Sequence, residues 1–477
     1  MAIHPLEEIL HPKSIAIVGA SARYRSQGHR FTRSLLEHGY KGETYLVNPK
    51  YSEILGIKVY SSLGDIPWSV DYVISVVPAS EVLDMLDDCS QKGVKCVHLY
   101  TARFSETGRP EAAELEQRVL ERAKEKGIRL VGPNCMGLYD PRQGISWSEG
   151  LPGEGGAVGL AFQSSSAAEQ FVKLASPRGI RFSKVIGYGN ALDFNESDFL
   201  EYLSHDLETK LILMYVEGVK DGKRFFNTLR QAVSTKPVII IKAGRGKAGA
   251  RAVHSHTANL AGSMKIWEAL VTQAGAVSAR DLSELIDLAV TFNFLPPIRG
   301  GRVGIAGGAG GATVLGADQC EEAGLDVVPL PMEIREELKS QGIPIWDWIG
   351  NPADTSITGS VDWSAGDTLQ MMAQNQNFDL LIAILGAPRM GRQPSDVVTK
   401  HLEWYKVKEI NQKPLLAVVE DKTLDINAYE DPACKLTCEM RAQLISANIP
   451  FYPTMERAAR AARKLIDYYQ KRKNTRI

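Results

Sequence analysis

Three stretches of the chain open in the same way: a short apolar strand runs into a turn of small residues, and a helical segment follows. These strands cover residues 14–18, 158–162 and 303–306. Further apolar strands then alternate with helical segments in each stretch. Such alternation predicts parallel strands joined by crossover helices, because parallel neighbours cannot be joined by a tight turn. The predicted fold class is therefore α/β.

The chain has 477 residues, which is too long for a single hydrophobic core. Two stretches rich in glycine and proline, residues 150–156 and 295–301, interrupt the alternation and are typical of connections between domains. We predict three domains, at residues 1–145, 146–297 and 298–477. The first is predicted to contain a doubly wound parallel sheet, and the other two are predicted to be further α/β units.

Charge and composition argue against several classes of protein. The net charge is −1, so nothing favours nucleic acid or an acidic membrane as a partner. The first residues lack the basic and apolar segments of a signal peptide, and no run approaches the ~18 apolar residues of a membrane span. The six cysteines are scattered and form no CxxC pair, which indicates reduced thiols. We expect a soluble, cytoplasmic protein.

A candidate phosphate site follows the first strand, at Gly19, Ala20 and Ser21. Backbone N–H groups and the start of a helix at such a turn attract a diphosphate. The G-x-G-x-x-G fingerprint is missing, and the second strand ends near Lys50 instead of at a carboxylate. A lysine there suits a phosphate-bearing ligand. We predict that these four residues bind a nucleotide-like ligand, with a purely structural turn as the alternative.

Two further strands of the first block end in residues that face the same predicted edge. Pro78 follows the third strand, although a proline there also serves simply to end it. Asn134, in the run Gly132-Pro133-Asn134-Cys135, offers an amide to a polar ligand. Cys135 is interpreted as a small buried apolar residue, since a free cysteine at a strand end is more often that than a nucleophile.

In the second block, Gln163, Ser164 and Ser165 follow the first strand and precede a helix. Serine favours the N-cap position, so plain capping is one interpretation of this run. The other is an anion site, in which the hydroxyl groups add to the positive end of the helix dipole. Glu217 closes a later apolar strand and therefore reaches the same edge.

His256 lies in a long tract of small residues, 248–263, that follows another apolar strand. An imidazole on a mobile loop of small residues can accept a phosphoryl group at one place and deliver it at another. Glu217 would orient that imidazole and stabilise positive charge on it. The alternatives are a structural histidine or a metal pair with His254. Because no third ligand lies nearby, we expect no metal site.

Motifs along nearly the whole chain resemble those of the NDP-forming acyl-CoA synthetases, which are the ADP-forming acetyl-CoA synthetases and relatives of succinyl-CoA synthetase. The motifs that carry this resemblance, in chain order, are Gly19-Ala20-Ser21, Val47-Asn48-Pro49-Lys50, Phe104-Ser105-Glu106-Thr107-Gly108, Gly132-Pro133-Asn134-Cys135, Gly189-Asn190 with Asp193, Tyr215-Val216-Glu217-Gly218, Lys242-Ala243-Gly244, Ser255-His256-Thr257, Gly307-Gly308-Ala309-Gly310, Asn351-Pro352-Ala353-Asp354 and Pro453-Thr454-Met455-Glu456-Arg457-Ala458. The resemblance implies a Rossmann-like CoA-binding domain followed by two flavodoxin-like CoA-ligase domains.

The resemblance also implies an activity, acyl-CoA + phosphate + ADP ⇌ acid + CoA + ATP. Coenzyme A is then the substrate bound by the first domain, and an acyl phosphate passes its phosphoryl group to His256, supported by Glu217. ADP or ATP with Mg²⁺ is held in this family by an ATP-grasp domain pair, which this chain leaves to a separate β subunit. The chain is then an α subunit, expected to form homodimers within a hetero-oligomer.

Three positions depart from the family pattern. Arg103, Ser165 and Ala258 stand where the family usually has glycine. Because loss of glycine narrows backbone freedom, a non-catalytic CoA-binding or regulatory protein of the same fold remains an alternative. A nicotinamide-dependent oxidoreductase is a third interpretation, which the missing fingerprint and Lys50 disfavour.

Overall fold

The computed structural model describes residues 4–257, 263–354, 365–385, 413–419 and 432–475. The chain divides into two compact units, residues 1–285 and 286–477. Within the described ranges the strands form three sheets, two in the first unit and one in the second. The predicted α/β class is confirmed.

The first sheet has the order β3-β4-β2-β1-β5-β6-β7 and is parallel except for the pair β3 and β4. Its strands are β1 (Ser14–Val18), β2 (Glu43–Val47), β3 (Glu53–Ile54), β4 (Ile57–Tyr60), β5 (Tyr72–Ser75), β6 (Cys96–Leu99) and β7 (Arg129–Val131). The accompanying helices are α1 (Pro5–Leu10), α2 (Gln27–Glu37), α3 (Val82–Gln91) and α4 (Pro110–Glu125). The central strand β1 is buried along its whole length, as its continuous apolar sequence predicts for a strand covered on both faces.

The second sheet has the order β13-β12-β11-β9-β10-β8, in which β8 alone runs antiparallel to its neighbour β10. Its strands are β8 (Gly137–Tyr139), β9 (Gly155–Phe162), β10 (Phe182–Gly187), β11 (Leu211–Val216), β12 (Val238–Lys242) and β13 (Val277–Ala279). The helices are α5 (Ser165–Ala175), α6 (Glu196–His205), α7 (Gly222–Thr235), α8 (Lys247–Thr257), α9 (Met264–Ala274) and α10 (Leu282–Phe294). The expected loop around His256 is therefore a helix, α8, up to Thr257. The predicted domain boundaries at 145 and 297 remain predictions.

The second unit contains a parallel sheet in the order β14-β15-β16-β17. Its elements are β14 (Val303–Gly307), α11 (Gly310–Glu322), α12 (Met332–Ser340), α13 (Ala365–Gln374), β15 (Leu380–Leu385), β16 (Leu415–Val419), α14 (Pro432–Ser446), β17 (Phe451–Tyr452) and α15 (Met455–Thr475). Helix α15 is anchored by an ion pair between Arg457 and Asp287, with Nε and Oδ2 2.6 Å apart. No helix in these described parts of the chain is long and apolar enough to cross a membrane.

One buried cation stabilises the second sheet. Lys184 lies in the middle of β10 with a side chain that is 0% exposed. Its Nζ lies 2.8 Å from Glu208, 3.5 Å from Asp206 and 3.9 Å from Asp140. Burial alone would lower the pKa of Lys184, but the hydrogen bond to Glu208 and the other two negative charges outweigh it and raise that pKa. The cluster therefore holds a charged lysine inside the fold.

Candidate functional site

The turn after β1 is shaped by two glycines. Gly19 has a φ of +92°, a conformation that residues with a side chain rarely adopt. Gly28, the second residue of α2, approaches this turn so closely that a Cβ on it would lie 2.3 Å from the oxygen of Gly19. The start of α2 is thus held against the turn. Gly28 could not be recognised from the sequence, because its spacing from Gly19 does not fit the dinucleotide fingerprint.

The N–H groups of Gly19 and Ala20 donate to the carbonyl of Val47 at 3.0 and 3.3 Å. These two N–H groups therefore bond to the end of β2, and the role of Gly19 and Ala20 in ligand binding stays a prediction. Other groups still favour an anion here: the N-terminus of α2 and the hydroxyl of Ser21, which accepts from the backbone of Arg23. These donors remain at the turn that follows β1.

Asn48 brings the ends of β1 and β2 together. Its Nδ2 donates to the oxygen of Ala20 at 2.7 Å, and its Oδ1 accepts from the backbone N–H of Lys50 at 2.9 Å. The exposed side chain of Lys50 therefore starts beside the Gly19 turn. A positive charge next to a helix N-terminus suits a phosphate-bearing ligand.

The loops that carry Pro78 and Asn134 are joined through Thr101. Asn134 has a φ of +58° and donates its N–H to the oxygen of Thr101 at 2.9 Å. The hydroxyl of Thr101 donates to Val77, next to the exposed Pro78, at 2.7 Å. Three strand ends thus form one continuous edge. Cys135 beside it is 3% exposed, and burial raises the pKa of its thiol to about 12, which fits a small apolar residue.

The serines at the start of α5 have structural partners. Ser164 is the N-cap and accepts from the N–H of Ala167 at 3.4 Å, so the capping interpretation is confirmed. The hydroxyl of Ser165 accepts from the N–H of Met136 at 2.9 Å, which links α5 to the loop after β7. A glycine at Ser165 would lack this bond, so the departure from the family pattern has a structural use here. The predicted role of both serines in phosphate binding remains a prediction.

Gln163 is a buried amide that bonds to the backbone next to Glu217. Its Oε1 accepts from the N–H of Glu217 at 2.8 Å and from that of Gly218 at 3.1 Å. Two backbone donors fix the amide orientation, so Nε2 is the free end of the group. That Nε2 is buried and has no hydrogen-bond partner within the described ranges. A buried donor of this kind is available to an acceptor that the protein itself does not supply.

The side chain of Lys242 also hydrogen-bonds to the backbone at Glu217. It ends β12, and its Nζ donates to the oxygens of Glu217 at 2.7 Å and Ala243 at 2.6 Å. Burial lowers the pKa of Lys242, while the negative charge of Glu217 acts in the opposite direction. Gln163 and Lys242 together fix the position of Glu217, which is itself buried. The motif Lys242-Ala243-Gly244 was visible in the sequence, but its lysine had been given no role.

His256 belongs to α8, which begins shortly after β12 and packs against the turn Ser105–Thr107 in the first unit. This turn follows β6 at the same edge as Asn134. The side chain of His256 lies outside the described residues, as does Ala258. The pairing of Glu217 with His256 therefore stays a prediction. Among the residues the structure describes, no group of three or more potential ligands that could hold a metal occurs.

Known protein families and individual proteins are similar to this chain in sequence. Residues 13–141 match the CoA binding domain family, and residues 155–292 match the family described as succinyl-CoA ligase like flavodoxin domain. The chain is 36% identical over 466 residues to the acetate–CoA ligase [ADP-forming] II subunit alpha of Pyrococcus furiosus, covering 97% of both chains. This chain belongs to that ligase family. The resemblance inferred from the motifs is confirmed.

Two further matches differ in how much of the matched protein this chain covers. This chain is 35% identical over 382 residues to the acetate–CoA ligase [ADP-forming] I of Archaeoglobus fulgidus. The match covers 80% of this chain but only 55% of the Archaeoglobus protein, which is longer. This chain superposes with a TM-score of 0.83 on the dinucleotide forming acetyl-coenzyme A synthetase 1 of Ca. Korarchaeum cryptofilum, solved in complex with phosphate and ADP. That match has 29% identity and covers 99% of this chain and 98% of the other.

Proposed function

We propose that this chain is the α subunit of an ADP-forming acyl-CoA ligase that catalyses acyl-CoA + phosphate + ADP ⇌ acid + CoA + ATP. The observation that carries the proposal is the convergence of Gln163 and Lys242 on Glu217 at one sheet edge. This convergence connects the candidate phosphate-binding residue Gln163 with Glu217, the carboxylate assigned to support the phosphorylated His256. The coenzyme A site is assigned to Gly19, Ala20, Ser21, Lys50, Pro78 and Asn134.

The first step joins phosphate to the acyl group. Phosphate lies at the N-terminus of α5 against Gln163, Ser164 and Ser165, where the helix dipole stabilises its charge. One of its oxygens attacks the thioester carbonyl, the carbon–sulfur bond breaks, and the phosphate proton passes to the CoA thiolate. The products are an acyl phosphate and CoA. The unpartnered Nε2 of Gln163 supports an acceptor at this place.

The second step transfers the phosphoryl group. A ring nitrogen of His256 attacks phosphorus, the bond to the acyl oxygen breaks, and the acid leaves as a carboxylate. Glu217 accepts a hydrogen bond from the other ring N–H, which orients the imidazole and stabilises the charge that develops on it. The segment that carries His256 then delivers the phosphoryl group to a terminal phosphate oxygen of ADP. We place that ADP, with Mg²⁺, on an ATP-grasp β subunit of a cytoplasmic hetero-oligomer in which this chain forms homodimers.

A labelling experiment with the assembled complex tests the proposal. Incubation with ATP labelled at the γ-phosphate is expected to give an acid-labile label on this chain, and addition of acetate and CoA is expected to remove it. His256→Asn abolishes the label and ATP synthesis. His254→Asn, two residues away in the same helix, is the matched control and keeps both. CoA binding without any label on the wild-type chain would instead identify the non-catalytic alternative and overturn the proposal.

A further inference from the structure

Asn190 is a buried amide that joins the two sheets of the first unit. It follows β10 and is 1% exposed. Its Nδ2 donates to Oε2 of Glu106 at 2.7 Å and to Oε2 of Glu116 at 3.3 Å. Both acceptors belong to the connection between β6 and β7. One amide group from the second sheet therefore holds two carboxylates of the first sheet close together.

These two carboxylates shape the turn that carries them. Glu106 accepts from the backbone N–H groups of Arg103 and Phe104, and Glu116 accepts from both the N–H and the hydroxyl of Ser105, at 2.9 and 2.7 Å. Carboxylates that accept several bonds are held rigidly, since charge-assisted hydrogen bonds are the strong ones. Asn190 adds the bond that ties this turn to the second sheet, so removing it would let the turn shift relative to that sheet.

The turn Ser105–Thr107 is the surface against which α8 packs. Asn190 also ties this surface to the candidate CoA site. Its N–H donates to the oxygen of Pro133 at 3.0 Å, and a Cβ on Gly189 would lie 2.2 Å from the same oxygen. The loop after β10 therefore contacts the loop of Asn134 on one side and the seat of α8 on the other.

We propose that Asn190 is a positioning residue for the acyl-side half-reaction: it fixes the turn that seats the helix of His256 beside the CoA edge. The inference rests on the proposed function, because only a phosphoryl-carrying helix needs a fixed seat there. The half-reaction with the nucleotide takes place on the partner, so it does not depend on this seat. A residue that merely stabilised the fold would affect both half-reactions alike.

Asn190→Ala in the assembled complex separates the two half-reactions. Labelling from ATP is expected at the wild-type rate. Removal of the label by acetate and CoA is expected to slow about 10- to 100-fold, the effect of losing hydrogen bonds to charged groups. Asn227→Ala, which removes an exposed asparagine of α7, is the matched control and leaves both rates unchanged.

Three outcomes distinguish the ideas. Equal slowing of both half-reactions, or no slowing of label removal, overturns the role of Asn190 while the proposed function stands. Failure to label the wild-type chain overturns the proposed function itself. Should Asn190→Ala fold poorly, Glu106→Gln serves instead, because it keeps an acceptor for the backbone of Phe104 but places two amide donors against each other. It is expected to slow label removal at least threefold, with labelling from ATP unchanged.

Discussion

The Oε1 atom of Gln163 accepts a hydrogen bond from the backbone N–H of Glu217 at 2.8 Å. The residue assigned to the phosphate seat therefore also positions the residue assigned to the phosphohistidine. Any change in the amide at Gln163 is transmitted directly to Glu217. The candidate phosphate-binding residue and the carboxylate Glu217 are thus directly coupled through this hydrogen bond.

Gln163→Leu is expected to reduce both stability and turnover. The side chain is 2% exposed, so its loss leaves the N–H groups of Glu217 and Gly218 buried without an acceptor. Each such group costs about 1–3 kcal/mol. We expect the free energy of unfolding to fall within that range or above it, and ATP synthesis by the complex to drop at least tenfold. Chemical denaturation and a coupled ATP assay measure the two effects.

Gln170→Leu is the control for this variant, because it makes the same change at an exposed position of α5. It should leave the unfolding midpoint and the rate near the wild-type values. If the two variants are equally stable and equally active, the hydrogen bonds of Gln163 do not hold Glu217.

Lys184→Met is expected to lower the free energy of unfolding by about 3–5 kcal/mol, the cost of breaking a buried ion pair from one side. The reason is that Asp140 and Asp206 stay buried without their cation. Lys210→Met, which removes an exposed lysine, should change stability little. Urea denaturation of the two variants at pH 7 makes the comparison.

The effect of Lys184 also has a defined pH dependence. Its folded pKa lies above the ordinary value of 10.5, so its contribution to stability is complete below pH 10.5 and disappears as the pH rises through the folded pKa. The difference between wild type and Lys184→Met should stay constant from pH 7 to 9 and shrink at higher pH. A difference that grows above pH 10.5 would contradict this sign.

Arg103→Gly is expected to stabilise the protein slightly. Arg103 has a φ of +78°, which costs a residue with a side chain about 1–2 kcal/mol. Glycine avoids this strain but loses about 0.4–1 kcal/mol through its freedom in the unfolded chain. The net change in the free energy of unfolding should be an increase of up to about 1.6 kcal/mol.

Ala102→Gly, one residue earlier, provides the comparison, since Ala102 is not among the residues with positive φ. It gains no relief of strain and should destabilise the protein by about 0.4–1 kcal/mol. Thermal unfolding of both variants ranks them directly. The opposite ranking would show that the backbone at Arg103 is not strained.

Acidification should destabilise the first sheet through His98. This residue of β6 is buried, donates from Nε2 to the oxygen of Cys135 at 3.0 Å, and has its pKa lowered by burial from 6.5 to about 4. A lowered histidine pKa means that the contribution to stability is complete above pH 6.5 and is lost as the pH falls towards 4. Between pH 7 and pH 5 the loss from this group amounts to about 2 kcal/mol.

His98→Gln tests this assignment, because glutamine keeps a donor and does not titrate. Denaturation curves at pH 7 and pH 5 should show a smaller loss for the variant than for wild type, by about 2 kcal/mol. Equal losses for the two proteins would place the acid sensitivity elsewhere.

The regular elements were predictable where local pattern decides them. The strand Ser14–Val18 was predicted with the bounds that the structure shows, and the strands predicted at residues 158–162 and 303–306 lie within Gly155–Phe162 and Val303–Gly307. The short strands Glu53–Ile54 and Gly137–Tyr139 were missed, because two or three residues carry no periodic signal and depend on pairing with distant strands. Local pattern thus gives long buried strands and fails for short ones.

The segment before His256 was misjudged for a different reason. Its small residues predicted a mobile loop, whereas α8 continues to Thr257. Alanine is also the residue with the highest helix propensity, and lysine and arginine rank close behind it. A tract of small residues, such as alanine, is therefore compatible with either a mobile loop or a helix, and its composition alone does not distinguish them.

Sequence alone determined the α/β class, the family and the strand ends that carry candidate residues, since strand and helix periodicity and the order of motifs are properties of neighbouring residues. Tertiary structure decided which of those ends meet. Gln163 and Lys242 reach Glu217 across 54 and 25 residues, and Asn190 reaches Glu106 across 84. Such contacts follow from strand order and from the packing of two sheets, which no local pattern encodes.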